Sequence, residues 1–409
     1  NIDFDKISTS SNEEILERKK NLKSFLEFGF PNKKDESWKF TDLNSIIRDN
    51  FKSITNNYNF DYDKKIKIID DFEHNYIILV NGSYKLSEIK FEEKGKVKIT
   101  NLISFNERSE RFGNKLYNLN KALSLGGFFL EIQKNYKCKR PIMIYNFFTS
   151  KLENKIINNS NKIKLNQNSE LTLIEYNINE KGKFIKNTFE NIEIQDDSVF
   201  KYITIQKNKS NGYFYKNIYG SQGYNSNYQN FIFSSGLKFN KIDQEMSLNK
   251  EKSSCFILSG LNLDKGEHQE IKTLINHLAP NCKSYQKIKN VLESESKGIY
   301  QGKIFVKDIA QKTDAYQLSK ALLLNDQSEF NAKPELEIYA DDVKCSHGST
   351  SGSIDADAIH YLMTRGIEKK VAKKLLINGF LNEILESIPE NNIKNFLRLC
   401  MTEQIDAIR

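Results

Sequence analysis

The stretch Asn161–Asn177, NKIKLNQNSELTLIEYN, predicts two β-strands that flank a turn. Apolar and polar residues alternate in both halves, and the Asn and Ser residues between them are typical of turns. Similar runs follow one another from about Tyr76 to about Ser353, among them FFLEI, PIMIYNF, CFILSGLNL, GIYQGKIFV and PELEIYADDVK. Many are rich in β-branched and aromatic residues, which favour strands. The central part of the chain is therefore expected to consist mainly of short strands.

The spacing of these strands narrows the choice of architecture. Most of them are not separated by amphipathic helices, which disfavours a sheet built from alternating strands and helices. Roughly twenty short strands fit a sandwich, a propeller or a β-solenoid. A repeat of blade length with a fixed signature is absent, so a propeller is disfavoured. Irregular rungs favour a parallel β-helix, which we predict for residues 73–353.

An N-terminal helical region is predicted over residues 1–72. The segment SNEEILERKKNLKSFLEFG begins with a capping box at Ser11 and has a plausible stop at Gly29. Trp38, the single tryptophan, is predicted to be a buried anchor. The predicted apolar face of the helix comprises Ile15, Leu16, Leu22, Phe25 and Leu26.

A C-terminal helical region is predicted over residues 354–409. Its first helix has an N-cap at Ser353 or Asp355 and ends near Gly366. Each of the three helices carries an apolar stripe, which usually faces a core but can also bind a partner helix. The stripes comprise Ile359, Leu362 and Met363, then Ala372, Leu375, Leu376, Phe380, Ile384 and Ile388, then Ile393, Phe396, Leu397, Cys400 and Ile405.

Composition excludes several classes of function. The chain has 409 residues and a formal net charge of +8, but its lysines are interleaved with acidic residues and form no stripe that nucleic acid would require. No apolar run approaches the roughly 20 residues that span a bilayer. The opening residues NIDFDKISTSSNEEILERKK lack the apolar region of a signal peptide, so we expect a cytoplasmic or plastid stromal protein. The five cysteines are scattered without a CxxC pair, which indicates free thiols.

The segment DDVKCSHGST, residues 341–350, places a thiol and an imidazole two residues apart. LEIYADDVKCSHG has the pattern of a strand, so Cys345 and His347 should project from the same face, roughly 6–7 Å apart. Both could ligate one metal or cluster, but such sites need about four ligands. A catalytic thiol is disfavoured because neighbouring side chains on one face lie side by side. A purely structural pair also remains open.

Other candidate sites have weaker support. His268 and His277 could join Cys282 as metal ligands, although they fit structural polar positions equally well. Asp341 and Asp342 resemble a glycosidase acid pair, but adjacent residues of a strand point to opposite faces. No GxxxxGK[ST] loop occurs, so no nucleotide-hydrolysing machinery is expected in this chain.

The segment AKPELEIYADDVKCSHGSTSGSIDADAIHYLMTRGI, followed by AKKLLINGFLNEIL, closely resembles the C-terminal signature of the SufB/SufD family. Members of this family are scaffold subunits of the SUF iron–sulfur cluster assembly system. The resemblance continues upstream through HLAPNCKSYQKIKNVLESESKGIYQGKIFV and includes DESWKFTDL near the start. A SufB would be expected to carry an EHEAT-like sequence where this chain has CSHGST, so the likeness is to the SufD side of the family. Between about Leu152 and Asn262 the sequence is divergent.

The resemblance implies a right-handed parallel β-helix that forms a pseudo-symmetric heterodimer with SufB, or a homodimer when isolated. It also implies an ABC-type ATPase, SufC, bound at the C-terminal helices, about residues 355–395, so that ATP enters through SufC and no nucleotide binds this chain. His347, with Cys345 beside it, would be a candidate ligand of a transient Fe–S cluster shared with SufB. No catalytic residue is implied. A reduced flavin in the assembled complex is a further expectation.

Two other functions remain open from the residues alone. A β-helix with carboxylates along a groove could be a polysaccharide hydrolase or lyase. A chain that completes its own ligand set could instead be a stand-alone metal-binding protein.

Overall fold

The structure is a computed structural model that describes residues 12–56, 66–102, 114–124, 126–180, 182–206 and 210–406. Ser11, the predicted start of the first capping box, lies outside these residues. Short 3-10 helices occupy Glu36–Trp38 and Ser150–Leu152. The α-helices of the described residues are α1 Asn12–Phe28, α2 Leu43–Asn50, α3 Lys115–Leu123, α4 Ala356–Thr364, α5 Lys369–Leu385 and α6 Asn391–Asp406.

Strands account for most of the chain between α3 and α4 and for four short segments before α3. The strands of the described residues are β1 Thr55–Asn56, β2 Asn75–Val80, β3 Ser83–Glu88, β4 Val97–Asn101, β5 Phe128–Ile132, β6 Ile142–Phe148, β7 Lys155–Leu165, β8 Glu170–Asn179, β9 Lys183–Ile194, β10 Val199–Gln206, β11 Ser210–Gln222, β12 Asn227–Ser235, β13 Leu237–Leu248, β14 Ser254–Leu263, β15 His268–His277, β16 Lys283–Leu292, β17 Lys297–Val306, β18 Thr313–Leu323, β19 Glu329–Ile338 and β20 Val343–Ser353.

From β5 onwards, successive strands alternate between two sheets. Sheet A has the order β19-β17-β15-β13-β11-β9-β7-β5-β4, with β1 beside β7, and sheet B has the order β20-β18-β16-β14-β12-β10-β8-β6-β2-β3. Neighbouring strands are parallel, except that β3 is antiparallel to β2 and β4 is antiparallel to β5. The chain therefore coils through about eight turns of a β-solenoid. This confirms the predicted mainly β fold with a parallel β-helix core.

The corners that lead from sheet A to sheet B repeat along the solenoid. Each contains one residue in the left-handed backbone region, which Asn and Asp tolerate better than most residues. The backbone N–H of one corner donates to a carbonyl of the next, as from Asn168 to Asp196 (2.9 Å). The corner residues are Asn135, Asn168, Asp197, Asn225, Lys252, Asn281 and Lys312, with φ between 51° and 61° and spacings of 27 to 33 residues.

The middle of the lumen contains charged residues at inward-facing positions. Lys216 Nζ lies 3.0 Å from Glu190 Oε2 and 2.6 Å from the hydroxyl of Tyr202, and it also contacts Glu175. Lys186 Nζ lies 3.1 Å from Glu175 Oε1. Burial favours the neutral form of the Glu175 carboxyl. The positive charges of Lys186 and Lys216 outweigh this effect of burial and lower the pKa of Glu175. Two lysines thus pair with two buried carboxylates, at positions where strand alternation predicts apolar residues.

Helices α1, α2 and α3 lie over the outer face of sheet A. Trp38 is buried as predicted, and its ring centroid lies 5.4 Å from that of Tyr215 and 6.4 Å from that of Phe239. Lys241 Nζ lies 4.8 Å from the centroid of the same indole ring. The DESWKFTDL segment therefore anchors the N-terminal helices to the solenoid.

The predicted apolar face of α1 is partly wrong. Phe25 is buried, but Leu16 and Leu26 are each 70% exposed. Arg18 occupies the buried face instead, and its guanidinium donates to the carbonyl oxygens of Ala122 (3.2 Å) and Ser124 (2.8 Å). The partner of α1 is thus the C-terminal end of α3, which has carbonyl groups to satisfy.

Helices α5 and α6 pack on the outer face of sheet B. Asp355 is the N-cap of α4, since its side chain accepts a hydrogen bond from the Ala358 N–H (2.9 Å). The predicted stripe of α5 is correct at Ala372 and Ile384 but wrong at Leu375, which is 48% exposed. Ile405 lies outside the residues whose side chains are described. The buried apolar residues of α5 and α6 are Ala372, Ile377, Leu381, Ile384, Leu385, Ile393, Phe396, Leu397, Cys400 and Met401.

No helix in the described residues combines the length and the apolar character that a membrane crossing requires.

Candidate functional site

β20 is the last strand of sheet B and lies at one end of the solenoid. It pairs in parallel with β18 over its whole length, Val343–Ser353, and His347 is in register with Gln317. In the described ranges, no strand pairs with its other edge. The chain enters β20 through a bend at Asp341 and Asp342. The predicted continuous strand across LEIYADDVKCSHG is therefore wrong at residues 339–342, which separate β19 of sheet A from β20 of sheet B. β20 thus presents a backbone edge with free hydrogen-bonding groups.

Cys345 and His347 share the face of β20 that turns toward the lumen. Cys345 packs against a buried apolar cluster that contains Ala315. Ser349 accepts a hydrogen bond from the hydroxyl of Ser319 (2.9 Å), and Ser319 is fully buried. Because side chains alternate along a strand, His347 between them also faces inward.

His347 is accessible because it lies on the last rung. The residues at the same register on the three preceding strands of sheet B are Gln317, Gln286 and Ile257, and all three are fully buried. The next rung that would cover His347 does not exist in the described part of the chain, and His347 is exposed. Its imidazole forms no hydrogen bond or ion pair with any described residue. It therefore keeps both ring nitrogens available for a group outside this chain.

The Cys345 thiol differs from the exposed imidazole in its surroundings. It is half-buried, and burial, with a smaller contribution from the negative charge of Asp314, raises the pKa of Cys345. A raised pKa means that the thiol stays protonated at neutral pH in the isolated chain. This does not favour a catalytic nucleophile, which acts as a thiolate.

The weaker metal-site candidates have structural surroundings. His277 Nε2 lies 2.8 Å from the hydroxyl of Ser284, and His268 Nε2 lies 3.0 Å from that of Thr41. Burial lowers the pKa of His268 to about 3 and that of His277 to about 4, so both are neutral at physiological pH. Among the described residues, no group of three or more His, Cys, Asp or Glu side chains could hold a metal ion. His268, His277 and Cys282 therefore do not form the metal site considered from the sequence.

A groove of about 500 Å³ lies between α4, α5 and the end of β18. Its walls combine apolar residues with the basic residues Lys369 and Lys373, and include Leu324, Ile354, Ile359 and Met363. On the same two helices, the apolar side chains of Tyr361, Val371 and Leu375 are 45–56% exposed. This apolar surface with basic neighbours has the character of a protein-binding site.

Two family models match consecutive parts of the chain. Residues 147–380 match the model described as "SUF system FeS cluster assembly, SufBD core domain". Residues 5–144 match the model described as "SufBD protein N-terminal region". The chain belongs to the SufBD family. The core model covers the solenoid from β7 to β20 and continues into α5.

Individual relatives are similar to this chain over most of its length. The Escherichia coli "Iron-sulfur cluster assembly protein SufD" is 25% identical over 386 residues, which cover 91% of this chain and 89% of that protein. A Synechocystis protein named "Iron-sulfur cluster assembly SufBD family protein" is 24% identical over 91% of this chain and 87% of its own length. The Arabidopsis thaliana "Protein ABCI7, chloroplastic" is 26% identical over 93% of this chain and 84% of its own length.

These findings make the chain a SufD-like iron–sulfur cluster assembly protein of the SufBD family, as the sequence motif predicted. They lend no support to a polysaccharide hydrolase or lyase. Two features of the site could not be read from DDVKCSHGST alone. These are the inward direction of His347 and the buried polar residues behind it, Gln317 and Gln286.

Proposed function

We propose that this SufBD family protein is a non-catalytic scaffold subunit that offers His347 as one ligand to a nascent Fe–S cluster. The cluster is the cargo of assembly, and its remaining ligands come from a second subunit of the SufB type. The observation that carries the proposal is the position of His347, which is exposed on the last rung and has no partner among the described residues. With Cys345, one chain supplies at most two ligands at this place, whereas a cluster takes about four.

The free edge of β20 supports a junction with a related subunit. An unpaired strand edge is a template for a strand of another chain. The sequence VKCSHGSTSGS contains no proline and one charged residue, so it lacks the usual features that block edge pairing. A SufB-type subunit that pairs with or covers β20 would place its own ligands beside His347. A second copy of this chain could occupy the same edge when the protein is isolated.

The C-terminal helices support binding of the second predicted partner, the SufC-type ATPase. We assign the groove beside α4 and α5, within residues 355–395, to an ATPase of the SufC type. Its apolar walls offer buried area, and Lys369 and Lys373 offer charge complementarity to an acidic rim. In this proposal ATP acts through the ATPase and no nucleotide binds this chain. A reduced flavin in the assembled complex and a cytoplasmic or stromal location remain predictions.

Replacement of His347 by Ala tests the proposal in a complex reconstituted with SufB-type and SufC-type subunits. We expect the variant complex to assemble but to lose cluster, measured as bound iron and acid-labile sulfide, by at least about tenfold because one ligand is removed. Lys283→Ala is the matched control, since Lys283 is exposed on β16 of the same sheet, two strands from β20. It should retain the wild-type yield.

Three outcomes discriminate among the alternatives. A normal cluster yield from His347→Ala would remove this residue from the proposed function. Loss of cluster in Cys345→Ser as well would assign the thiol to the ligand set, whereas an unchanged yield would give it a packing role. One equivalent of metal retained by the isolated wild-type monomer would favour the stand-alone metal-binding protein.

A further inference from the structure

A cavity of about 500 Å³ lies on the outer face of sheet A, beside the C-terminal end of α2. Its walls come from α2, from the first few residues of β9, β11, β13 and β15, and from the turn before β15. We refer to it as the sheet A cavity. Sites for small molecules have volumes of roughly 300–1,000 Å³, so the sheet A cavity is large enough for one.

Three aromatic rings form the floor of the sheet A cavity. Tyr213, Phe239 and His268 are in register on β11, β13 and β15, so their side chains lie side by side on one face. The ring centroids of Phe239 and His268 are 5.2 Å apart. Phe51 packs edge-to-face on Tyr213, with 5.1 Å between the ring centroids, and holds that ring in place. A planar apolar group can pack on such a floor.

The hydroxyl of Tyr213 is an unused hydrogen-bond donor in the cavity wall. Tyr213 is only 7% exposed, yet within the described ranges its hydroxyl has no hydrogen-bond partner. Tyr215 follows on the same face of β11, and its hydroxyl donates to Asp243 Oδ2 (3.0 Å). Buried tyrosines usually have such a partner. Burial raises the pKa of Tyr213, so the hydroxyl keeps its proton at neutral pH and can donate a hydrogen bond to a ligand.

The sheet A cavity also carries positive charge without a matching carboxylate. Lys238 is exposed and forms no hydrogen bond or ion pair with a described residue. Lys183 Nζ donates to the carbonyl oxygen of Asn50 and lies 5.2 Å from the ring centroid of Phe51. An ammonium group has three donors, so Lys183 keeps others for a ligand. The described residues that line the cavity include no Asp or Glu, and the two lysines therefore favour an anion.

We infer that the sheet A cavity binds a small organic anion that carries a planar apolar group. The planar group packs on the three rings of the floor. The carboxylate or phosphate of the ligand accepts a hydrogen bond from the Tyr213 hydroxyl and pairs with Lys183 and Lys238, since a lysine ammonium binds either anion as a point charge. This binding site goes beyond the proposed function, because it lies on sheet A and His347 lies on the last strand of sheet B.

Calorimetric titration of the full-length chain tests the inference with 1-naphthyl phosphate and 1-naphthoate as probes. We expect saturable binding of at least one of them, with a Kd of about 1 mM or lower. 1-Naphthol has the ring without the anion, whereas inorganic phosphate and acetate have the anion without the ring. All three should bind at least about tenfold more weakly than the preferred probe. A preference for either probe assigns the phosphate or the carboxylate as the anion.

Two variants test the contacts of the anion. Tyr213→Phe keeps the ring and removes the donor, so it should weaken binding about fivefold. Lys238→Glu reverses a charge at the cavity, so it should weaken binding by at least about fivefold. Tyr316→Phe, on β18 of sheet B, is the matched control for the first variant, because its hydroxyl also lacks a described partner. Lys98→Glu, at an exposed lysine of β4, changes the net charge of the chain equally and is the control for the second. Both controls should bind the probe like the wild-type chain.

The inference is overturned if neither probe saturates the chain, or if 1-naphthol binds as tightly as both probes. It is also overturned if the two cavity variants bind the preferred probe as tightly as their controls do. His347→Ala should bind this probe like the wild-type chain. A failure of this inference is therefore distinguishable from a failure of the proposed function, which is measured as the cluster yield of the reconstituted complex.

Discussion

At the scale of single residues, Cys345 and His347 differ although they share one face of β20. Cys345 is half-buried beside Ala315, and burial with the nearby charge of Asp314 raises the pKa of its thiol. A cysteine binds metal as the thiolate, so Cys345 must first lose a proton. A neutral imidazole binds directly through a ring nitrogen. Under the proposed function, these surroundings favour His347 over Cys345 as the first ligand to engage a cluster.

The raised pKa of Cys345 leads to a prediction about alkylation. At pH 7.5 iodoacetamide should modify Cys345 several-fold more slowly than free cysteine, and the rate should increase as the pH rises because the thiolate fraction grows. Asp314→Asn removes a negative charge that disfavours the thiolate, so we expect it to accelerate modification about two- to fivefold at that pH. Peptide mass spectrometry measures the rate at each cysteine. Asp342→Asn, at an exposed acid in the adjacent bend, is the control, and equal rates in the two variants would contradict the assigned cause.

Sequence alternation was sufficient to place Cys345 and His347 on one face of a strand. It could not show whether that face was the inner or the outer one, because polar residues also occupy inward positions in this solenoid. Glu175, Lys216 and Gln317 are examples. The exposure of His347 depends on its strand being the last of sheet B, which is a property of the whole coil.

At the scale of elements, the C-terminal helices are held rigidly on sheet B. Glu383 of α5 contacts Lys287 and Lys289 of β16, and Lys289 Nζ also donates to the carbonyl oxygen of Phe380 (2.7 Å). Hydrogen bonds from the two lysines lower the pKa of Glu383 to about 2, so this contact persists at neutral pH. The exposed surface of α5 is thereby held in a fixed orientation relative to sheet B.

The groove beside α4 and α5 supports a prediction about the ATPase partner. Met363→Asp puts a charge at a 44% exposed position in the wall of the groove, so it should leave the fold intact and weaken capture of a SufC-type subunit about tenfold. Calorimetric titration of the purified chain with that subunit measures the affinity. Leu399→Asp is the matched control, because Leu399 is 59% exposed on α6 and does not line the groove. Equal losses in both variants would exclude the groove as the specific site.

Helices and corners differ in how far the sequence predicted them. Gly29, Asp355 and Gly366 stand at helix ends where cap chemistry predicted them. The stripe of α5 was misassigned at Leu375, because a helix with apolar residues on several faces does not reveal which face meets the sheet. The corner repeat was overlooked since its spacing varies from 27 to 33 residues and Lys replaces Asn at residues 252 and 312.

At the scale of the whole molecule, the solenoid has two unlike ends. At the first end, the antiparallel strands β3 and β4 terminate the two sheets. At the other end, β19 and β20 are parallel edge strands, with Ile309, Ile338 and Tyr339 exposed nearby. Of these two ends, the β19–β20 end carries edge strands that continue the parallel register of the solenoid, and we expect a related subunit to extend the sheets there.

Proline substitutions in β20 test whether this end is a pairing edge. Adjacent residues of an edge strand direct their N–H groups to opposite sides, so of Thr350 and Ser351 one bonds to β18 and the other faces the free edge. A proline at the residue whose N–H bonds to β18 removes a ladder bond and should lower the free energy of unfolding. A proline at the residue whose N–H faces the free edge should leave the stability nearly unchanged. We expect the free-edge proline variant to lose association with a SufB-type subunit. Native mass spectrometry measures this association and urea unfolding measures the stability, so the two effects are separated. If the variant with unchanged stability still forms the wild-type complex, backbone pairing along β20 does not join the subunits.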